Sequence, residues 1–306
     1  MNVLITGHSG FLGNHTARLF KNRGHKVYGL SRSIIQNCEY QQYICDVLDK
    51  NKVSQIVSEK NIELILHVAG KPIISDCDKD PFNAFTINGL GTASILESAR
   101  ISGCCAKIII VETDKVYGFQ EKVPTTEDAT LNPNSPYGLS KALSSQFCEF
   151  YRKYYSMNVV SARPVNLFGE GDNAYTRIIP TAMRKIISGE GIPVHEDGHE
   201  IFRDFLYVKD AAEMLYILAT NKTNHQIYNL SSNSPTSMSK LAKDITKILN
   251  HNVNPIFVKK PGTYREILYQ SIDGCRFNDE FNFRFTPFDV AIKETYEAYK
   301  VGGRHE

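Results

Sequence analysis

Short, wholly apolar runs alternate along the first half of the chain with longer stretches in which apolar residues recur every three or four positions. Val3-Leu4-Ile5 is the first such run, and its lack of polar alternation predicts a strand covered on both faces. Phe11, Leu12, Ala17, Leu19 and Phe20 follow at helical spacing, and Gly24 ends that helix. The pattern then predicts strands over 26–30, 40–45, 64–67 and 107–111 and helices over 50–60 and 82–100. A further helix opens at Ser135-Pro136, an N-cap followed by a proline at the first helical position. A sixth strand is predicted over 159–163, a helix over 181–188, a hairpin about Asp197-Gly198 within 193–208, and a returning strand over 226–230. Helices over 237–249 and from Thr286-Pro287 through Tyr299 complete the chain. Alternation of this kind requires a parallel sheet with helices on both faces, with ligands at the carboxyl ends of the strands. The predicted class is therefore α/β, a doubly wound parallel sheet.

Chemistry first enters at the turn after the first strand, where Gly7, Gly10 and Gly13 are spaced G-x-x-G-x-x-G. A glycine turn between strand and helix can be no more than a tight connection. It can also bring bare backbone N–H groups and a helix amino terminus against a phosphate, and a dinucleotide pyrophosphate fits such a place. An acid about twenty residues beyond the first glycine would bind the adenosine ribose and select NAD. Here stand Ser31, Arg32 and Ser33, with no carboxylate to repel a 2′-phosphate and a guanidinium to hold one, so NADP is expected, with NAD as the alternative. The bland reading of Arg32 is an exposed loop residue.

Composition narrows the class. The chain has 306 residues, 42% hydrophobic and 22% charged, which suits a folded globular protein with a full core. A net charge of +2 predicts no bulk attraction to nucleic acid or an anionic membrane. No apolar run reaches membrane length and the amino terminus lacks a signal-peptide layout, so a cytoplasmic protein is expected. Seven scattered cysteines without a C-x-x-C pair read as reduced thiols. His195, Glu196 and His199 flank the Asp197-Gly198 turn, but nothing in that turn aims them together, and no metal site is assigned.

T-G-H-S-G-F-L-G at 6–13, N-G-L-G-T at 88–92, T-D-K-V-Y-G at 113–118 and Y-G-L-S-K at 137–141 occur in that order. Together they resemble the extended branch of the short-chain dehydrogenase/reductase superfamily, and the likeness covers almost the whole chain. The resemblance implies a Rossmann domain over 1–168, with a returning segment about 203–230, and a discontinuous nucleotide-sugar lobe over 169–202 and 231–306. It implies that Gly7, Ser9, Gly10, Phe11, Leu12 and Gly13 hold the cofactor pyrophosphate, and that Asp46 and Val47 lie near the adenine. Val68, Ala69, Gly70 and Pro164 would let the dinucleotide pass. Tyr137 would take a proton from a sugar hydroxyl while hydride leaves for the nicotinamide, and Thr113 would bond the reacting oxygen. An ordinary tyrosine, pKa about 10, is too seldom ionised for this. Lys141, one helical turn on, would stabilise the phenolate and bond the nicotinamide ribose.

Asp114 and Lys115 point to a subfamily. Epimerases of the superfamily usually carry small residues there, whereas nucleotide-sugar 4,6-dehydratases place an acid–base pair. In the implied scheme Lys115 removes the proton on carbon 5 and Asp114 protonates the departing 6-hydroxyl. A solvated turn is the bland alternative for the pair. Gly169-Glu170-Gly171-Asp172-Asn173-Ala174 and Arg177-Ile178-Ile179-Pro180 resemble CDP-glucose 4,6-dehydratases. Asn166, Arg177, Arg203 and Arg265 are the implied contacts to a nucleotide-diphosphate sugar, with Thr113. Arg276 stands where the family has lysine, and the carboxyl end is short, a departure from most dehydratases. A 4-epimerase or an NADPH-dependent 4-keto-sugar reductase is the alternative on the same fold, and a non-catalytic dinucleotide-binding regulator the remote one. Family members commonly form homodimers through the helices after strands four and five, and Phe147, Phe150, Tyr151 and Tyr154 are compatible with that contact or with core packing.

Overall fold

The computed structural model describes residues 1–103, 106–259 and 267–302. Arg265 and the Pro261-Gly262 segment lie outside these residues. The first apolar run forms β1 (Asn2–Thr6), with Val3, Leu4 and Ile5 wholly buried. Around it are β2 (Lys26–Ser31), β3 (Gln41–Ile44), β4 (Leu64–His67), β5 (Lys107–Val111) and β6 (Val159–Pro164). With the strand Ile227–Leu230 they make a seven-stranded parallel sheet in the order Ile227–Leu230, β6, β5, β4, β1, β2, β3. Successive side chains of one strand point to opposite faces, so an all-apolar strand feeds two cores at once. Val3 and Ile5 join one apolar cluster with Leu64, Leu66, Ile109 and Val111, while Leu4 joins the other with Ile65, Ile108 and Ile110. The first cluster continues to Ile179, Leu241 and Ile292, so the carboxyl-terminal helices share a core with the sheet.

The helices α1 (Phe11–Asn22) and α2 (Lys50–Glu59) stand where the periodicity places them. Then come α3 (Ile74–Lys79) and α4 (Pro81–Ala84). The single helix expected over 82–100 is three pieces: α4, a π-helical turn Phe85–Leu90, and α5 (Gly91–Ile101). Asn88 supplies the reason. Its side chain turns inward, accepting from Lys71 N at 2.7 Å and donating to Ser140 Oγ at 2.8 Å, and the wide turn accommodates it.

Three other expectations shift. Ser31 ends β2 instead of lying in the following loop. The helix expected over 181–188 runs Ile178–Ile187, its first turn tolerating Pro180. The Asp197-Gly198 turn exists, but it is not a hairpin. The strand before it, Pro193–His195, pairs in parallel with Ile256–Val258, and the strand after it, Phe202–Arg203, pairs with Thr236–Ser237 and Tyr269–Gln270. Each flanking strand thus finds a partner from the carboxyl-terminal segment. Among the described residues no helix is long and apolar enough to cross a membrane, and no group of three metal-ligating side chains converges.

Candidate active site

A cavity of about 1400 Å³ runs along the carboxyl ends of β1 to β6. Its first wall is the glycine turn. Gly7 has φ +69°, and a Cβ there would lie 2.7 Å from the Ala69 backbone, so the turn presses against the residues after β4. A Cβ on Gly13 would lie 2.0 Å from the Gly7 carbonyl, which is why α1 can approach the turn. Gly10 caps α1 without a side-chain hydrogen bond, leaving first-turn N–H groups for an anion. Ser9, Phe11, Leu12, Asp46, Val47, Val68, Gly70 and Pro164 line the same cavity. This backbone cradle fits a dinucleotide.

The cavity edge at the end of β2 is organised by a residue the sequence reading passed over. His8 is wholly buried, sharing hydrogen bonds with Ser31 Oγ at 3.0 Å and Tyr40 Oη at 3.2 Å, and burial pushes its pKa down to about 4. A Cβ on Gly29 would strike its ring, so the β2 glycine makes room for it. The Ser31 hydroxyl also donates to the Ser33 carbonyl and is thereby engaged within the loop. Arg32 is exposed, and Ser33 Oγ meets Ser9 Oγ at 3.2 Å, so these groups line the cavity together.

At the other end, α6 (Pro136–Tyr155) begins with Ser135 accepting from Gly138 N at 3.1 Å and Pro136 in the first turn. It carries Tyr137 and Lys141 on one face, both buried. Lys141 Nζ donates to the Val111 carbonyl at 2.8 Å, and burial draws its pKa down to about 8. Burial likewise pushes the phenol of Tyr137 up to about 12, against a hydrogen bond with Thr113 and the positive charge of Arg177. The expected pull of Lys141 on Tyr137 is therefore opposed by desolvation of both groups.

Thr113 follows β5 and caps the turn that carries Asp114 and Lys115. Its hydroxyl donates to Asp114 Oδ1 at 3.0 Å, and Lys115 Nζ donates to Asp114 Oδ2 at 2.8 Å and to Asn166 Oδ1 at 3.4 Å. Thr113, Asp114 and Lys115 thus form one hydrogen-bonded chain at the cavity wall, and Tyr137 lines the same wall beside it. The Asp114 carboxylate is 4% exposed and the Lys115 side chain 17%, so the pair is not the solvated turn of the bland reading. Desolvation lowers the pKa of Lys115, Asp114 raises it, and the charges of Arg203 and Arg177 lower it.

Asn166 and Arg177 line this cavity and also a neighbouring one of about 450 Å³, where Arg203 lies. Arg177 pairs with Asp172 at 3.3 Å, and burial raises the pKa of that acid. Arg203 Nη1 donates to the Phe202 carbonyl at 2.7 Å, on the strand opposite Gln270. The structure therefore gathers Thr113, Asp114, Lys115, Tyr137, Lys141, Asn166 and Arg177 around one space and sets Arg203 in the adjoining one. Sequence reasoning missed Glu112, which is buried with Arg163 at 2.8 Å, because a lone glutamate at a strand end carries no motif.

The model of the NAD dependent epimerase/dehydratase family matches residues 3–231. Among curated proteins, a trifunctional UDP-glucose 4,6-dehydratase/UDP-4-keto-6-deoxy-D-glucose 3,5-epimerase/UDP-4-keto-L-rhamnose-reductase of Arabidopsis thaliana is 27% identical over 92% of this chain, and the chain spans only 43% of its length. The dTDP-glucose 4,6-dehydratase of Haemophilus influenzae is 26% identical, with 81% of this chain and 80% of that protein covered. Among solved structures, the UDP-glucose 4-epimerase of Thermotoga maritima, crystallised with UDP-glucose, superposes with a TM-score of 0.90 at 24% identity over 99% of both chains. That last likeness is one of fold.

Proposed function

The chain belongs to the NAD dependent epimerase/dehydratase family, and on that premise we propose that it is a nucleotide-sugar 4,6-dehydratase, making a 4-keto-6-deoxyhexose from a nucleotide-diphosphate hexose. The observation that carries this reading is the buried Asp114–Lys115 pair, hydrogen-bonded to Thr113 and lining one cavity with Tyr137. A 4-epimerase has no use for a second acid and base at that place. The cofactor proposed is NADP, supported by the acid-free Ser31-Arg32-Ser33 edge with Arg32 exposed. Bound along the glycine turn, it would accept one hydride from carbon 4 and return it to carbon 6.

The chain's own residues handle the protons. Tyr137 takes the proton of the 4-hydroxyl as carbon 4 is oxidised, and the keto group acidifies the hydrogen on carbon 5. Moving one proton across the 2.8 Å between Lys115 Nζ and Asp114 Oδ2 makes Lys115 a neutral amine and Asp114 a carboxylic acid without changing the net charge of the pair. Burial and the neighbouring arginines favour that neutral amine. Lys115 then removes the proton from carbon 5 as Asp114 protonates the departing 6-hydroxyl, which leaves as water. Lys115 returns its proton to carbon 5 when the hydride reaches carbon 6. The proton held by Tyr137 passes through the Thr113 hydroxyl to restore Asp114, and the balance closes with the loss of one water.

Arg177, Arg203 and Asn166 are proposed to hold the diphosphate and sugar, their positions around the two adjoining cavities supporting this. The exposed Phe150 and Tyr154, stacked at 5.3 Å on α6, support a second copy packing there. The cofactor edge that suggests NADP also favours a second reading, an NADPH-dependent 4-keto-sugar reductase. Turnover in deuterium oxide separates these. A dehydratase places solvent deuterium on carbon 5, while a 4-epimerase or reductase leaves that position unlabelled.

A further inference from the structure

Glu112 stands between Val111, whose carbonyl holds the Lys141 ammonium, and Thr113, yet no step above uses it. Its side chain is fully buried. Oε2 accepts from Ser145 Oγ at 2.5 Å and from Arg163 Nε at 2.8 Å, while Oε1 is buried without a hydrogen bond. Tyr137, Lys141 and Ser145 recur at four-residue spacing on one face of α6, so the Glu112 carboxylate is tied one turn beyond Lys141. Arg163 extends the tie. Its Nη1 donates to Tyr117 Oη at 2.8 Å, and Tyr117 donates to Asn229 Oδ1 at 2.8 Å. Three adjacent strands, β5, β6 and Ile227–Leu230, therefore anchor one carboxylate under the helix that carries Tyr137.

A carboxylate with an unmatched oxygen is costly to bury, and packing alone would be served by an apolar side chain. We propose that Glu112 is a positioning residue, which fixes the Tyr137–Lys141–Ser145 face of α6 against the end of β5 and sets a negative charge beside the Lys141 ammonium. Among the described residues, the other titratable groups facing Lys141 are Tyr137 and Cys148 on α6, Cys77 on α3 and His67 on β4, with Arg163 on β6 paired to Glu112 itself. Burial keeps both thiols and the Tyr137 phenol protonated and drops His67 to about 3, so all four are neutral near pH 7 before substrate and cofactor bind. The formal negative charge at that place is the glutamate's. It opposes the desolvation that draws Lys141 down to about 8.

The inference rests on the proposed function only in taking Lys141 to bind the nicotinamide ribose. The test is therefore binding and not turnover: fluorescence titration of NADPH and NADH into the purified chain at a series of pH values, for wild type, Glu112→Gln and Ser145→Ala. Wild-type affinity is expected to fall as pH rises through about 8, and in Glu112→Gln the midpoint moves about one unit lower, because the ammonium has lost its counter-charge. Ser145→Ala keeps that charge, so its midpoint stays in place while affinity drops about fivefold. A folded Glu112→Gln with the wild-type midpoint and affinity overturns the proposal. Where Glu112→Gln does not fold, Glu112→Asp decides: it keeps the charge but shortens the reach to Ser145 and Arg163, and wild-type affinity in it overturns the proposal equally. A chain that shows these shifts but converts no nucleotide sugar refutes the proposed function and leaves this inference standing.

Discussion

The two ends of the large cavity are built from different materials. The end at Gly7 to Gly13 is backbone: glycines that admit a close approach, a helix amino terminus without a capping side chain, and small residues after β4. The end at Thr113 to Lys115 is side-chain charge under desolvation, an acid and an amine 2.8 Å apart and two arginines within electrostatic reach. Backbone N–H groups recognise a phosphate whatever is attached to it, so the first end specifies that a dinucleotide binds and little more. Desolvated charges change the protonation of one another, so the second end specifies a reaction. The difference teaches where a change of one residue should alter binding and where it should alter chemistry.

The largest effect should come from breaking the backbone end. A Cβ on Gly13 would meet the Gly7 carbonyl at 2.0 Å, so Gly13→Ala should displace α1 and abolish dinucleotide binding, as calorimetry with NADP would register. At the other end Tyr137→Phe should leave that binding intact and lower turnover about a thousandfold, since the phenol is the proposed base. Asp114→Asn should reduce water loss about a hundredfold while slow oxidation at carbon 4 persists, visible as hydride transfer in the absorbance of the reduced nicotinamide. Smaller still is Arg32→Ala, which should weaken NADPH about tenfold and leave NADH unchanged in fluorescence titration. The mildest effect is of pH. Lys141, at about 8, is ammonium below that value and amine above it, so NADPH affinity should decline severalfold between about pH 7 and about pH 9.

Most of the sheet was legible because a strand buried on both faces announces itself. Val3-Leu4-Ile5 and Lys107–Val111 have no polar alternation to explain away, and both lie inside the sheet. The π turn at Phe85–Leu90 was not legible, since its cause is a tertiary hydrogen bond from Asn88 to Lys71 and Ser140, not a local preference. Nor was the pairing of Pro193–His195 with Ile256–Val258, because a D-G dipeptide marks a turn without saying which strand each arm will join. In the site, motif order found Tyr137, Lys141 and Thr113 and the glycine turn. It did not find His8 or Glu112, whose importance comes from burial and partners that only the fold supplies. The Asp114–Lys115 contact lay between these cases: the residue types were readable, their seclusion from water was not.

The most direct test of the account is mass spectrometry of CDP-, UDP-, GDP- and dTDP-hexoses after incubation with the purified chain and no added reductant. The account predicts that one of them loses the mass of a single water and that Asp114→Asn slows this loss. Wild-type chain that leaves every hexose at its starting mass, or Asp114→Asn that dehydrates at the wild-type rate, would contradict it.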